Sequence, residues 1–177
     1  MRKINVVGNS GSGKTTFGRK LAKALSIDFI EMDAVFWGKD WYWPSDDELF
    51  SKLEAALDRD TWVLDGNYTR TTPIKWKNID TVIWIDYSFF RTAWQVTSRA
   101  LHRTLTRKEL WEGTGNIETF QRMFSKESII WYSIKTYSST KRKYEAAMVN
   151  PDYAHISFVR LKSPQECSRF LQDVNAA

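Results

Sequence analysis

Cysteine is almost absent. Cys167 alone cannot build a disulfide framework or a structural zinc site, each of which needs several ligands. Histidine is nearly as scarce, and His102 and His155 have no partner at a spacing that indicates a metal or a catalytic triad. Four prolines and eight glycines exclude collagen-like and proline-rich low-complexity chains. No stretch approaches the ~18–20 apolar residues of a membrane span. The apolar run within residues 1–8 is too short for a signal peptide, so a cytoplasmic location is expected. With no repeat and no linker, the 177 residues read as a single domain over 1–177 carrying an inserted flap. At 42% hydrophobic and 27% charged, the composition is that of a globular chain.

What is present is unevenly placed. Residues 1–86 hold 12 Lys/Arg against 13 Asp/Glu, whereas residues 87–145 hold 11 against 5. The net charge of +5 therefore comes from one block, which suits nucleic acid or polyphosphate equally. Nine tryptophans are a heavy load, and Trp37, Trp41 and Trp43 cluster, which suggests an aromatic-lined cavity.

Short apolar runs alternate with helical periodicity. Strands are predicted at 3–7, 27–32, 61–64, 80–85 and 155–161. Phe17, Leu21, Ala24 and Leu25 fall on one face of a helix over 14–25. Ser45-Asp46-Asp47-Glu48 is a capping box opening a second helix, and Ser163-Pro164-Gln165-Glu166 caps the closing one. Phe90, Trp94, Thr97 and Leu101 fall on one side of a helix running into the basic block. A further helix is expected over about 118–148, with Phe120, Phe124, Ile130, Ile134 and Tyr137 as its buried stripe. Strands separated by helices imply an α/β fold, a parallel sheet covered on both faces. Ligands of such sheets bind beyond the carboxyl ends of the strands, where Gly8, Asp33, Asp65 and Asp86 lie.

Gly8-Asn9-Ser10-Gly11-Ser12-Gly13-Lys14-Thr15 matches G-x-x-x-x-G-K-[ST], between a buried strand and an amphipathic helix. Backbone N–H groups of such a loop, with Thr16 just beyond it, point at phosphate oxygens, aided by the positive end of the helix. Lys14 reaches the β and γ phosphates and the Thr15 hydroxyl ligates Mg²⁺. ATP and Mg²⁺ are thus the expected ligands.

The segment Asp65-Gly66-Asn67-Tyr68-Thr69-Arg70-Thr71 resembles the adenylate kinase strand ending in Asp-Gly-Phe-Pro-Arg-Thr, with one extra residue before Arg70. Asp33, followed by Phe36-Trp37, is similar to the acceptor-hydroxyl aspartate of shikimate-type kinases. The layout of the whole chain, including Gly115-Asn116 and Arg160 to Pro164, most resembles the bacterial adenylate-kinase-like proteins labelled "DNA topology modulation protein". The resemblance implies a three-layer P-loop kinase fold, a five-stranded parallel sheet in order 2-3-1-4-5, and a small helical lid at about 103–118. It also implies that Asp65 holds the water shell of Mg²⁺ and that Arg70 grips the acceptor. Arg99 and Arg103, four residues apart on one helical face with Arg107 a turn beyond, match the arginine pair that contacts adenine and the transferring phosphate. Gly113 and Gly115 would hinge the lid.

Asp33 is then the candidate base, and Trp37, Asn67, Tyr68 and Arg70 the candidate acceptor contacts, within a pocket also lined by Phe36, Trp41, Trp43 and Trp76, of which at least two tryptophans are expected only to close the core. Lys141-Arg142-Lys143 reads as a solvated charge cluster at a helix end. Three functions fit: an ATP-dependent phosphotransferase acting on a nucleotide, nucleoside or other small molecule; a nucleic-acid-associated regulator contacting DNA through the basic block; and a non-catalytic nucleotide sensor. The first is favoured, while the acceptor and the oligomeric state are not specified by the sequence.

Overall fold

The computed structural model describes residues 1–106, 109–111, 114–123, 125 and 128–176. Its strands are β1 (Lys3–Gly8), β2 (Asp28–Glu31), β3 (Trp62–Asp65), β4 (Thr81–Ile85) and β5 (Ser157–Leu161). They form one parallel sheet in the order β2-β3-β1-β4-β5, as expected. Every residue of β3 and β4 is buried, which is why these strands read as unbroken apolar runs rather than as alternation.

The helices are α1 (Lys14–Leu25), α2 (Met32–Phe36), α3 (Asp46–Leu57), α4 (Thr72–Lys75), α5 (Phe89–Thr106), α6 (Phe120–Met123), α7 (Ile129–Val149) and α8 (Pro164–Ala176). Alternate residues of the strands feed two cores. On one face Ile4, Val6, Val63, Ile83 and Ile85 meet Phe17 and Leu21 of α1 and Cys167 of α8. On the other, Val7, Leu64, Val82 and Trp84 meet Leu49 and Leu53 of α3, Trp76 after α4, and Tyr144 and Ala147 of α7. The Ser45 hydroxyl accepts from Glu48 N at 3.2 Å, so the predicted cap forms. No helix among the described residues is long and apolar enough to cross a membrane.

The grouping of Phe90, Trp94, Thr97 and Leu101 on one side of α5 holds, and that side is the outer one, whereas the expectation of one helix over 118–148 needs correction. In α5 the buried side is Thr92, Val96, Ala100 and Thr104, while Phe90, Trp94, Thr97 and Leu101 face outward. The helix crosses the phosphate loop too closely for large side chains: a Cβ on Gly11 would lie 2.7 Å from that of Val96. The predicted helix over 118–148 is two, α6 and α7, with Ser128 capping the second by accepting from Ile130 N at 3.2 Å. Phe120 and Ile134 are exposed, Ile130 and Tyr137 half-buried, and Phe124 lies outside the described residues. Ser133, Tyr144 and Ala147 supply the buried side of α7 instead.

Candidate active site

The phosphate loop leaves β1 at Gly8 and enters α1 at Lys14. Its path needs glycine: Gly8 has φ +148°, and a Cβ there would meet the Ile85 carbonyl oxygen at 2.5 Å. Lys14 lies across the loop, its ammonium donating to the Asn9 carbonyl at 3.2 Å. Asn9 and Ser10 are gripped from outside by α7. Asn9 Nδ2 donates to the Ser133 carbonyl at 2.9 Å, and Ser133 Oγ donates to the Ser10 carbonyl at 2.8 Å. Ser12 is buried, and its hydroxyl has no partner. Thr16 is exposed on the first turn of α1.

Parallel pairing aligns Asp65 with Val6 on one side and Glu31 on the other, so its carboxylate stands beside the start of the loop. The Thr15 hydroxyl donates to Asp65 Oδ2, whereas Oδ1 is buried without a partner. Burial pushes the Asp65 carboxyl up from its ordinary value, against the opposing pull of Lys14 and the Thr15 hydrogen bond. An orphaned carboxylate oxygen next to a threonine hydroxyl fits a hydrated divalent cation.

One strand over, Asp33 sits in the first turn of α2, exposed at the end of β2. Tyr68 reaches across to donate its hydroxyl to Asp33 Oδ1 at 2.8 Å. Burial, then the Asp33 charge, hold the Tyr68 phenol well above its ordinary range, so it stays a donor. Arg70 lies 5.3 Å from the Phe36 ring centroid and 5.2 Å from that of Trp43, and is ion-paired with Asp46. Its second terminal nitrogen, Nη2, is buried with no partner. Trp37 stacks on Trp111 with centroids 6.0 Å apart and meets Phe36, Trp41 and Trp43 edge-on.

Asn67 is occupied elsewhere. Its amide exchanges hydrogen bonds with the Gly8 backbone and accepts from the Tyr144 hydroxyl at 3.0 Å, which ties it under the phosphate loop. Trp76 is a core residue, its indole donating to Asn5 Oδ1 at 3.0 Å. Arg99 points inward from α5. Burial and the neighbouring Arg103 lower its pKa, while the charges of Asp33, Asp65 and Glu118 oppose that shift. Arg103 is half-buried one turn further on. Arg107 and Gly113 lie outside the described residues.

Residues 109–111 and 114–117 pack against the aromatic cluster. Glu109 bridges Ile117, and Leu110 N donates to the Asn116 carbonyl at 2.9 Å. The fully buried Asn116 side chain donates to the Gly38 carbonyl at 3.0 Å and accepts from Trp41 N at 2.8 Å. It thereby holds Asp40 and Trp41 at φ +54° and +59°, a backbone region that costs bulky residues energy.

Sequence reasoning missed three of these residues. Lys75 is 1% exposed, and its ammonium donates to the carbonyls of Gly66, Asn67 and Tyr68 at 3.3, 2.6 and 3.4 Å. Asn116 was visible only as part of a turn. Lys143, expected in a solvated cluster, is half-buried mid-helix and donates to Thr69 Oγ1 at 2.9 Å. None carries a local sequence signal, because their partners are backbone or side-chain groups brought close by the fold.

A nucleotide-type phosphate loop on a 2-3-1-4-5 parallel sheet defines the P-loop kinase fold. A family model for shikimate kinase matches residues 10–43. Shikimate kinases of Haemophilus influenzae strains PittEE and PittGG are each 48% identical over 71 residues, covering 37% of this chain. The match spans 39% of the length of these relatives. Among solved structures, a sugar kinase from a Janibacter species aligns over 99% of this chain and 97% of its own, with 17% identity and a TM-score of 0.52. A shikimate kinase from Acinetobacter baumannii, in complex with shikimate, aligns over 98% and 90%, with 17% identity and a TM-score of 0.53.

Proposed function

We propose that this chain is an ATP-dependent phosphotransferase that moves the γ-phosphoryl group to a hydroxyl of a small-molecule acceptor. One observation carries the reading: Thr15 is hydrogen-bonded to Asp65 and Tyr68 to Asp33, and the charges of both aspartates act on Arg99 from α5. Phosphoryl transfer needs this positioning and charge neutralisation more than a reactive side chain.

The loop amides of residues 8–15 and Lys14 bind the triphosphate. Thr15 and Asp65, the latter through water, would hold Mg²⁺, which when bound neutralises charge on the phosphate oxygens. Asp33 accepts the proton of the acceptor hydroxyl as that oxygen bonds to the γ phosphorus and the bond to the departing ADP breaks. Tyr68 orients the Asp33 carboxylate, and Arg99 faces the charge on the transferring group. Arg103 backs Arg99, and Trp37 and Arg70 wall the acceptor side.

The family match over 10–43 supports a hydroxyl acceptor, since that stretch runs from the phosphate loop through Asp33 to Trp43. The reading takes residues 1–177 as one cytoplasmic domain, and the whole-chain layout as that of the group labelled "DNA topology modulation protein". Purified protein with Mg-ATP and a panel of nucleotides, nucleosides and polyhydroxylated metabolites tests it by ADP release. Lys14→Ala should abolish turnover, and Asp33→Ala should remove the acceptor-dependent part. Transfer to no member of the panel, with salt-sensitive duplex binding instead, replaces the kinase reading with the nucleic-acid one.

A further inference from the structure

Helix α5 has two faces of opposite character. The inner one buries Thr92, Val96, Ala100 and Thr104 and carries Arg99 toward the site. The outer one leaves Phe90, Trp94, Leu101 and Leu105 exposed, at 84%, 74%, 44% and 66% of their full surface. These four fall in one stripe at helical spacing, about 22 Å long. Two aromatic and two leucine side chains at that exposure bare roughly 500 Å² of apolar surface, the upper end of what a monomer leaves uncovered.

The stripe is self-complementary. Its midpoint falls between Thr97 and Ser98. A two-fold axis there, with the helices antiparallel, sets Phe90 against Leu105 of the second copy and Trp94 against Leu101 of the second copy. Each large ring meets a smaller aliphatic group, and the two small residues sit where the backbones come closest. Arg91, Ser98 and His102 lie along one edge of the stripe, so the axis lines them up with the same polar edge of the second copy, outside the apolar seam. A parallel pairing would instead set ring on ring and Arg91 near its own mate. With a rim of Arg91, Ser98 and His102, the covered area reaches about 1,200–1,600 Å² in total, the size of a specific interface.

We propose that two copies of this chain associate through α5 as an antiparallel, two-fold pair centred on Thr97 and Ser98. Such an interface is isologous and closes at two subunits. It is independent of which acceptor is phosphorylated.

Sedimentation of the full chain from nanomolar to tens of micromolar concentration tests this. Wild type should reach twice the chain mass at micromolar concentration. Trp94→Glu, a change at an exposed position, should associate roughly a hundredfold more weakly with an unaltered circular dichroism spectrum. Thr97→Cys should form a disulfide-linked dimer on mild oxidation, because the axis brings the two sulfurs together and the native Cys167 is buried. Asp60→Cys, at the opposite end of the sheet, should not. A single-chain mass at every concentration overturns the proposal. So does a dimer indifferent to Trp94→Glu, or the absence of a cross-link at position 97.

Discussion

Asn67 and Gly8 exchange two hydrogen bonds: the Asn67 amide donates to the Gly8 carbonyl at 2.6 Å, and Gly8 N donates to Asn67 Oδ1 at 3.1 Å. The turn after β3 is thereby fastened to the first residue of the phosphate loop. Asn67→Asp replaces a donor by an acceptor facing a carbonyl, and Asn67→Ala leaves both Gly8 groups unpaired. Each is expected to cost about 1–3 kcal/mol of stability, with Asp the worse of the two, and to raise the KM for ATP. Thermal unfolding and steady-state kinetics on the two variants check this.

Asp65 pits stability against function. Its folded carboxyl binds a proton more tightly than the unfolded chain does, because burial raises it above the ordinary 3.8. The stability it contributes is complete below that value and is lost as pH rises through the raised one. Asp65→Asn removes the buried charge. At neutral pH the variant should melt at or above the wild-type temperature while Mg-ATP turnover falls by roughly a hundredfold or more. Melting curves from mildly acidic to neutral pH should show wild type losing ground to the variant.

Lys75 gives the opposite slope. Burial first, then the Lys143 charge, lower its pKa well below 10.5. The unfolded chain therefore holds this proton more tightly, and the contribution of Lys75 to stability rises with pH between the lowered value and 10.5. Lys75→Met should flatten that rise, a readout separate from the stability lost with its hydrogen bonds, since Gly66 still accepts from Asn5 and Tyr68 from Thr71. Denaturant unfolding across the alkaline range measures both.

Asn116→Ala should release the segment around 109–117 from Gly38 and Trp41, removing two part-buried hydrogen bonds at about 1–3 kcal/mol in total. Trp37, Trp41 and Trp111 should then become more accessible to acrylamide quenching, with a blunted response to acceptor. Unchanged quenching would mean that the ring stacking alone holds the segment down.

The phosphate loop and the sheet order were legible because their signals are local: eight contiguous residues for one, apolar runs separated by helical periodicity for the other. Asp65 was legible because it ends β3, and Asp33 because it follows β2 by two residues. The inward face of α5 was not. Periodicity groups the large residues Phe90, Trp94 and Leu101 on one side without saying which side is buried, and the approach of Gly11 admits only side chains such as Thr92 and Val96 on the inner one. Asn67 illustrates the same limit at the site. Its type suits a ligand contact, yet its partners Gly8 and Tyr144 lie 59 and 77 residues away in the chain.

Helix α7 touches the phosphate loop through Ser133 and Thr136, and the turn after β3 through Lys143 and Tyr144. One rod, about 15 Å between these two holds, thus acts as a gauge block between the phosphate loop and the turn after β3. Its calibration is angular as well as linear. Adding one residue between Tyr137 and Arg142 would turn one grip by about 100° relative to the other, so the spacing of the two loops is written into the length of a helix that lies outside both.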